Sequence, residues 1–230
     1  MDAADWGIAL SLVVLSGALG TLAARGLLRS VRERSRVQLM WGIGLAFATV
    51  ATAVELVVYA GIVSGLLLQT YVFLSAAIVG MLSLGSTRVI RSSLFRTSYT
   101  VYTLAMCATV GVLSYSTGLS SSAMVSQGVI TGNPPTTLII VSSLVTVPAT
   151  FVLLGAVVVA LRRSWRWQTL MMGVGACVLA AGGALYIASF PVALYYSEFI
   201  GIVLIFFGLV SLPHLATSPA PAGRSLSKTA

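Results

Sequence analysis

Charged side chains are scarce in this 230-residue chain: Asp, Glu, Lys and Arg together make up 8%, whereas apolar residues make up 58%. Ordinary soluble domains carry about a quarter charged residues. A soluble fold of this size could not remove so much apolar surface from water. The composition therefore excludes an ordinary soluble domain and predicts an all-α, polytopic protein whose main partner is the lipid bilayer.

Histidine, lysine and cysteine are almost absent. The chain has one histidine, His214, one lysine, Lys228, and two cysteines, Cys107 and Cys177, none of them near a second ligand at metal spacing. This excludes a bis-histidine haem and a histidine metal cluster. Neither a Ser/His/Asp set nor a pair of catalytic carboxylates can be assembled, and the basic segments lack a glycine-rich phosphate cradle. We therefore expect no enzyme activity, no metal and no cofactor.

Apolar runs long enough to cross a bilayer recur seven times along the chain. They cover about residues 6–28, 38–63, 67–88, 98–117, 136–161, 168–189 and 196–216. We predict one seven-helix membrane domain over residues 1–216, followed by a disordered tail at 217–230 that is rich in Ser, Pro and Ala. The acidic start of the chain predicts that no signal peptide is cleaved.

All thirteen cations fall on one side of this seven-span arrangement. They occupy the first, third and fifth connections and the tail: Arg25, Arg29, Arg32, Arg34, Arg36, Arg88, Arg91, Arg96, Arg162, Arg163, Arg166, Arg224 and Lys228. The positive-inside rule then predicts an N-terminus outside and a cytoplasmic C-terminus in the plasma membrane. The net charge of +8 therefore reflects orientation in the membrane, and no nucleic-acid partner is expected.

Two short sequence patterns recur in the same order in the two halves of the chain. They are residues 39–44 against 170–175, and residues 80–84 against 208–212. Their common order predicts two parallel repeats, about 6–88 and 136–216, joined by a linker helix at 98–117.

This three-one-three layout resembles that of the SWEET and PQ-loop transporters and of trimeric intracellular cation channels. The resemblance is one of layout, because the chain has no Pro-Gln loop motif and no matching glycine-lysine signature, so no residue roles carry over. Microbial rhodopsins also have seven spans, but they require a lysine in the last one, and Lys228 lies in the tail.

Glu55 is the leading candidate for a functional residue because it interrupts an apolar run. At about 1.5 Å per residue from Arg36, it lies roughly 28 Å along its helix, close to the outer face of a hydrocarbon layer about 30 Å thick. Its own helix face is small and polar: Gly44, Ala48, Ala51, Thr52 and Tyr59. The opposite side is predicted to meet lipid or large packing partners: Ile43, Phe47, Val50, Val54, Leu56 and Val57.

A carboxyl group inside a membrane must be protonated, hydrogen-bonded, open to an outer vestibule or matched by a cation. We therefore predict a proton or cation site at Glu55 with Thr52 and Tyr59. The alternative is a protonated carboxyl group that only holds helices together or reaches interfacial water. The repeat places Tyr186 opposite Glu55, and Glu198 at the start of the seventh span is a further binding candidate, although an aromatic belt explains its tyrosine neighbours equally well.

Pro148 is predicted to kink the fifth span, because it lacks the amide that the preceding turn needs. We expect Ser142, Ser143 and Thr146 to satisfy the freed carbonyl groups. The kink is a candidate gating hinge, although static kinks are common in membrane bundles. The external loop 118–135 is predicted to cap the outer mouth or to contact a partner.

Three functions fit these observations. The first is a small transporter or channel for a cation or a small polar solute that passes Glu55. The second is a non-catalytic structural or assembly subunit of a larger membrane complex, and the third is a seven-helix membrane sensor. A homo-oligomer or other membrane-complex partners are compatible with all three.

Overall fold

The computed structural model describes residues 3–87, 90, 92–119, 124–126, 129–130 and 134–163, with short pieces at 167, 170–171, 173–175, 177–178, 200–201 and 204. The long helices in this part of the chain are α1 (Ala3–Glu33), α2 (Arg36–Tyr59), α3 (Gly65–Ser86), α4 (Ser93–Ser116) and α5 (Thr136–Arg163). A short antiparallel hairpin, β1 (Val125–Ser126) and β2 (Val129–Ile130), lies between α4 and α5. The rest of the regular structure in the described residues is helical, as the composition predicts.

Four of these helices are long and apolar enough to cross a membrane: Trp6–Glu33, Arg36–Tyr59, Gly65–Ser86 and Thr136–Val159. They confirm apolar helices at the first, second, third and fifth predicted spans. The fourth predicted span, 98–117, is also helical, but α4 carries more hydroxyl side chains and is not one of the four. The sixth and seventh predicted spans lie almost wholly outside the described residues, and the tail 217–230 lies entirely outside them.

Serine side chains begin three of the helices. Ser35, Ser64 and Ser92 precede α2, α3 and α4, and each side-chain oxygen accepts a hydrogen bond from a backbone amide in the first turn. Serine is favoured at this position because the first amides of a helix have no partner within the helix. These caps set where each helix starts after a short connection.

The end of α2 differs from the prediction. The apolar run continues to residue 63, but the helix ends at Tyr59. Gly61 adopts a left-handed backbone with φ +88°, and the Ile62 amide bonds back to the Val57 carbonyl oxygen at 3.2 Å. Glycine tolerates this conformation without a steric penalty, so the backbone turns here although the side chains stay apolar.

The helices pack with α2 between α1 and α3, and α3 also contacts α4 and α5. Side-chain hydrogen bonds join α3 to the α4 segment at both ends: Gln69 Nε2 donates to the Thr117 carbonyl at 3.0 Å, and Tyr99 pairs with Ser83 at 2.8 Å. These two helices are therefore antiparallel. Helix α5 runs parallel to α3, because Leu68 and Leu138, near their N-termini, share one apolar cluster, and Ala77 and Val145, farther along each helix, share another.

Successive helices run in opposite directions, so every arginine whose side chain is described lies near one end of the bundle. They are Arg25, Arg29, Arg32, Arg34, Arg36, Arg96 and Arg162. We call this the basic end. The opposite end holds the α2–α3 connection and the β-hairpin, and we call it the hairpin end.

Two glycines allow neighbouring helices to approach closely at the basic end. A Cβ atom on Gly42 would lie 3.0 Å from the Leu27 side chain of α1. Gly85 of α3 lies against the Trp41 ring of α2, so near that a Cβ atom would overlap the indole. Small residues at such crossings let helix backbones pack tightly in a membrane.

Candidate functional site

Glu55 lies on α2, four residues before the helix ends at Tyr59. Its side chain is 4% exposed, and Thr52 on the preceding turn is 6% exposed. The small and polar face predicted for Gly44, Ala48 and Ala51 is buried as well. The acid is therefore enclosed within the bundle near its hairpin end.

The side of α2 that was predicted to meet lipid or large packing partners divides between the two. Val54 is 7% exposed and packs among large apolar residues in the core. Helix α2 contacts α1, α3 and β2, so its buried arc is wider than a single face. Val50, on the same predicted side, is exposed at 48%.

The polar groups around Glu55 are already engaged. The Thr52 hydroxyl donates to the Ala48 carbonyl oxygen at 2.9 Å, so its proton is used within α2. Glu55, Tyr59 and Tyr71 of α3, which packs against an apolar cluster, each take part in a hydrogen-bonding, electrostatic or ring contact. The Thr52 oxygen keeps lone-pair capacity to accept a hydrogen bond or to approach a cation.

An apolar cluster seals the hairpin end beside Glu55. It consists of Val54, Val58, Leu68, Val72, Leu119, Met124, Ile130 and Leu138, and we call it the hairpin-end cluster. Val54 and Val58 flank Glu55 on α2, and Leu119, Met124 and Ile130 belong to the loop 118–135. Strand β2 contacts α2 directly. The described residues of the loop therefore pack against the helices at the hairpin end, whereas a cap over an outer mouth stays a prediction.

The two remaining binding candidates are Tyr186 and Glu198. Both are outside the described residues, so their relation to Glu55 stays a prediction. Within the described part of the chain, no group of three or more His, Cys, Asp or Glu side chains could hold a metal ion.

Pro148 lies inside α5, and the helix continues through it from Thr136 to Arg163. Proline lacks an amide hydrogen, so the carbonyl oxygen of Leu144, four residues earlier, loses its helical donor. The Tyr102 hydroxyl of α4 donates to that oxygen at 2.7 Å. We expected Ser142, Ser143 and Thr146 to fill this role; instead, the Ser142 hydroxyl donates to the Leu138 carbonyl one turn earlier. The predicted hinge is thus tied to the neighbouring helix.

Replacing Tyr102 with phenylalanine removes this tie, and we expect the bundle to lose about 1 kcal/mol of stability, typical of an interhelical hydrogen bond in a membrane protein. Pro148→Ala restores the amide that Leu144 lacks. The matched control is therefore the double variant: Tyr102→Phe should cost much less in the Pro148→Ala background. Thermal or denaturant unfolding in mild detergent measures both, and equal losses in the two backgrounds would contradict the assignment.

Sequence reasoning missed a groove between α4 and α5. Its volume is about 480 Å³ and its lining is Ile90, Phe95, Tyr99, Val147, Pro148, Phe151, Val152 and Gly155. The sequence feature that could have indicated the groove is the spacing of Phe95, Tyr99 and Tyr102. Residues at this spacing lie on one face of α4, where they form an aromatic row. Phe95 and Tyr99 stack with ring centroids 5.7 Å apart.

The chain was also compared with known proteins, and none gives a match: no protein family, no curated protein and no solved structure is similar to it.

Proposed function

We propose that this chain is a small membrane transporter or channel for a proton, another cation or a small polar solute, with Glu55 as its intramembrane binding group. The observation that carries the proposal is the burial of Glu55, at 4% exposure, on a helix apolar enough to span a membrane. Ionisable groups in such helices are costly and mark ion or substrate pathways by default.

The site's surroundings favour a cation over an anion. Glu55 carries the only carboxyl group among the residues of α2, and every arginine with a described side chain lies toward the basic end. Thr52 and Tyr59 add oxygen atoms on the same stretch of helix. Carboxylate and hydroxyl oxygens suit protons and hard cations.

The hairpin end is the proposed entrance. The loop covers it with an apolar cluster rather than with a charged surface, so solute access to Glu55 requires the loop to shift. Short two-residue strands contribute few backbone hydrogen bonds, and elements with few such bonds open at low free-energy cost. The loop would thus act as an outer gate.

We further propose the seven-span arrangement, with its N-terminus outside, its C-terminus in the cytoplasm of a plasma-membrane protein, and two parallel three-helix repeats joined by α4. The collection of described arginines at the basic end supports this orientation. In this arrangement α3 is the last helix of the first repeat and α5 is the first helix of the second. Both must cross the membrane in the same direction, and the parallel course of α3 and α5 supports this.

A second candidate is a non-catalytic subunit of a larger membrane complex. Large apolar side chains stand exposed along α1, α4 and α5, including Leu10, Val101, Val112, Ile140 and Phe151. Such faces accept either lipid or a partner helix. A partner that copurifies in fixed stoichiometry from mild detergent would favour this candidate.

The test of transport uses the purified full chain in liposomes. An imposed gradient of protons, Na⁺ or K⁺ is followed with an entrapped indicator, against protein-free liposomes of the same lipid. We expect flux of at least one of these cations above the protein-free rate. Flux indistinguishable from protein-free liposomes for all three would count against transport of a cation.

A further inference from the structure

The groove between α4 and α5 has an almost entirely apolar lining. The one side-chain hydroxyl in its lining, that of Tyr99, is engaged: Ser83 donates to the Gly80 carbonyl at 2.7 Å, so Tyr99 donates to the Ser83 oxygen at 2.8 Å. A polar ligand would leave its own groups unsatisfied there. The groove therefore fits an apolar occupant, and it opens to the outside of the described bundle.

On α5, the helix face that lines the groove also carries an arginine, nearer the basic end. Pro148, Phe151 and Gly155 line the groove, and Arg162 follows Gly155 by seven residues, two helical turns and about 10 Å along the same face. Arg162 is exposed at the basic end.

The next described piece of the chain leaves the groove open. Gly173 lies beside Val157, since a Cβ atom on Gly173 would be 2.6 Å from the Val157 Cγ1 atom. Val157 is two residues beyond Gly155 and hence about 200° around α5 from it. This contact is therefore on the side of α5 that faces away from the groove.

We propose that the groove holds one acyl chain of an anionic phospholipid, whose phosphate is bound by Arg162. The apolar lining matches the chain, and the arginine matches the headgroup. Guanidinium groups bind phosphate through paired hydrogen bonds, and basic sites at the ends of membrane helices select anionic headgroups. An acid near Arg162 would repel a phosphate. Among the described residues the acid at the basic end is Glu33, which lies on α1 and accepts a hydrogen bond from Gln38.

The test is native mass spectrometry of the full chain in detergent with equal amounts of phosphatidylglycerol and phosphatidylcholine. We expect the wild-type protein to retain phosphatidylglycerol preferentially. Arg162→Gln should lower that preference about fivefold, the effect of one basic residue at a membrane surface. Arg29→Gln, an exposed arginine of the same end on α1, should leave it unchanged.

A second variant tests the acyl-chain part of the site. A side chain at Gly155 meets open space, so Gly155→Leu fills the groove without a clash and should reduce retention of both lipids. Gly17→Leu, an equally open position on α1, is the matched control and should reduce neither. Because both substitutions favour a helix, neither should hinder folding.

Three results would overturn the proposal. They are equal retention of the two lipids by the wild-type protein, unchanged retention in Gly155→Leu, or a change of oligomeric mass in Gly155→Leu with lipid retention intact. The last result would assign the groove to a second copy of the chain. None of these readouts depends on transport, so the lipid site stands or fails separately from the proposed function.

Discussion

Replacing Glu55 with glutamine should reduce cation flux in liposomes to the rate of protein-free liposomes. Glutamine keeps the size of the side chain and its capacity to hydrogen-bond, but it can neither ionise nor release a proton. Since Glu55 is buried at 4% exposure on α2, the substitution removes the one carboxyl group of this helix while leaving the packing intact. A cation pathway that depends on the carboxylate is then lost, not merely slowed.

The matched control for this variant is Glu33→Gln. Glu33 is the other glutamate among the described residues, and it lies exposed at the end of α1, where it bonds to Gln38. We expect its flux to equal that of the wild-type protein. Flux that persists in Glu55→Gln, at equal protein content and equal thermal stability, would show that the acid is structural.

The second large effect is expected at Gly85, where alanine should destabilise the bundle by about 1–3 kcal/mol, the range for overpacking a close contact. The added Cβ atom would overlap the Trp41 ring of α2, so the ring or the helix must shift. Alanine has a higher helix propensity than glycine by about 1 kcal/mol, so a loss of stability here can come only from the collision. Unfolding by heat in mild detergent measures it.

Two comparisons isolate the collision at Gly85. Gly17→Ala places a Cβ atom in open space on α1 and should leave stability unchanged or slightly higher. Trp41→Leu in the Gly85→Ala background should recover part of the loss, because it removes the ring that the methyl group meets. Destabilisation of equal size at Gly17 and Gly85 would argue against close packing of α2 on α3.

The sequence predicts the positions of α1, α2, α3 and α5 because a bilayer requires about twenty consecutive apolar residues, and that signal is local. It misplaces the end of α2, since an apolar run does not reveal where the backbone turns. Gly61, which lies within the run and two residues past the helix end at Tyr59, was the usable signal, because glycine is common just past a helix end.

Contacts between distant parts of the chain could not be predicted in the same way. The burial of Val54 depends on α2 being enclosed by α1, α3 and the hairpin together. The donor to the Leu144 carbonyl comes from Tyr102, 42 residues earlier in the chain, whereas local reasoning points to hydroxyl groups within α5. Glu55 itself was identifiable, because a single acid in a long apolar run stands out from composition alone.

Infrared spectroscopy of the reconstituted protein tests most directly whether Glu55 exchanges a proton or cation with its surroundings. The chain has only five Asp and Glu residues, so the carboxyl band that disappears in Glu55→Gln can be assigned to this side chain. We predict that this band converts between its protonated and ionised forms as the external pH or cation concentration is changed. A Glu55 band that stays the same under all these conditions would identify a permanently protonated, structural carboxyl group and would contradict the account.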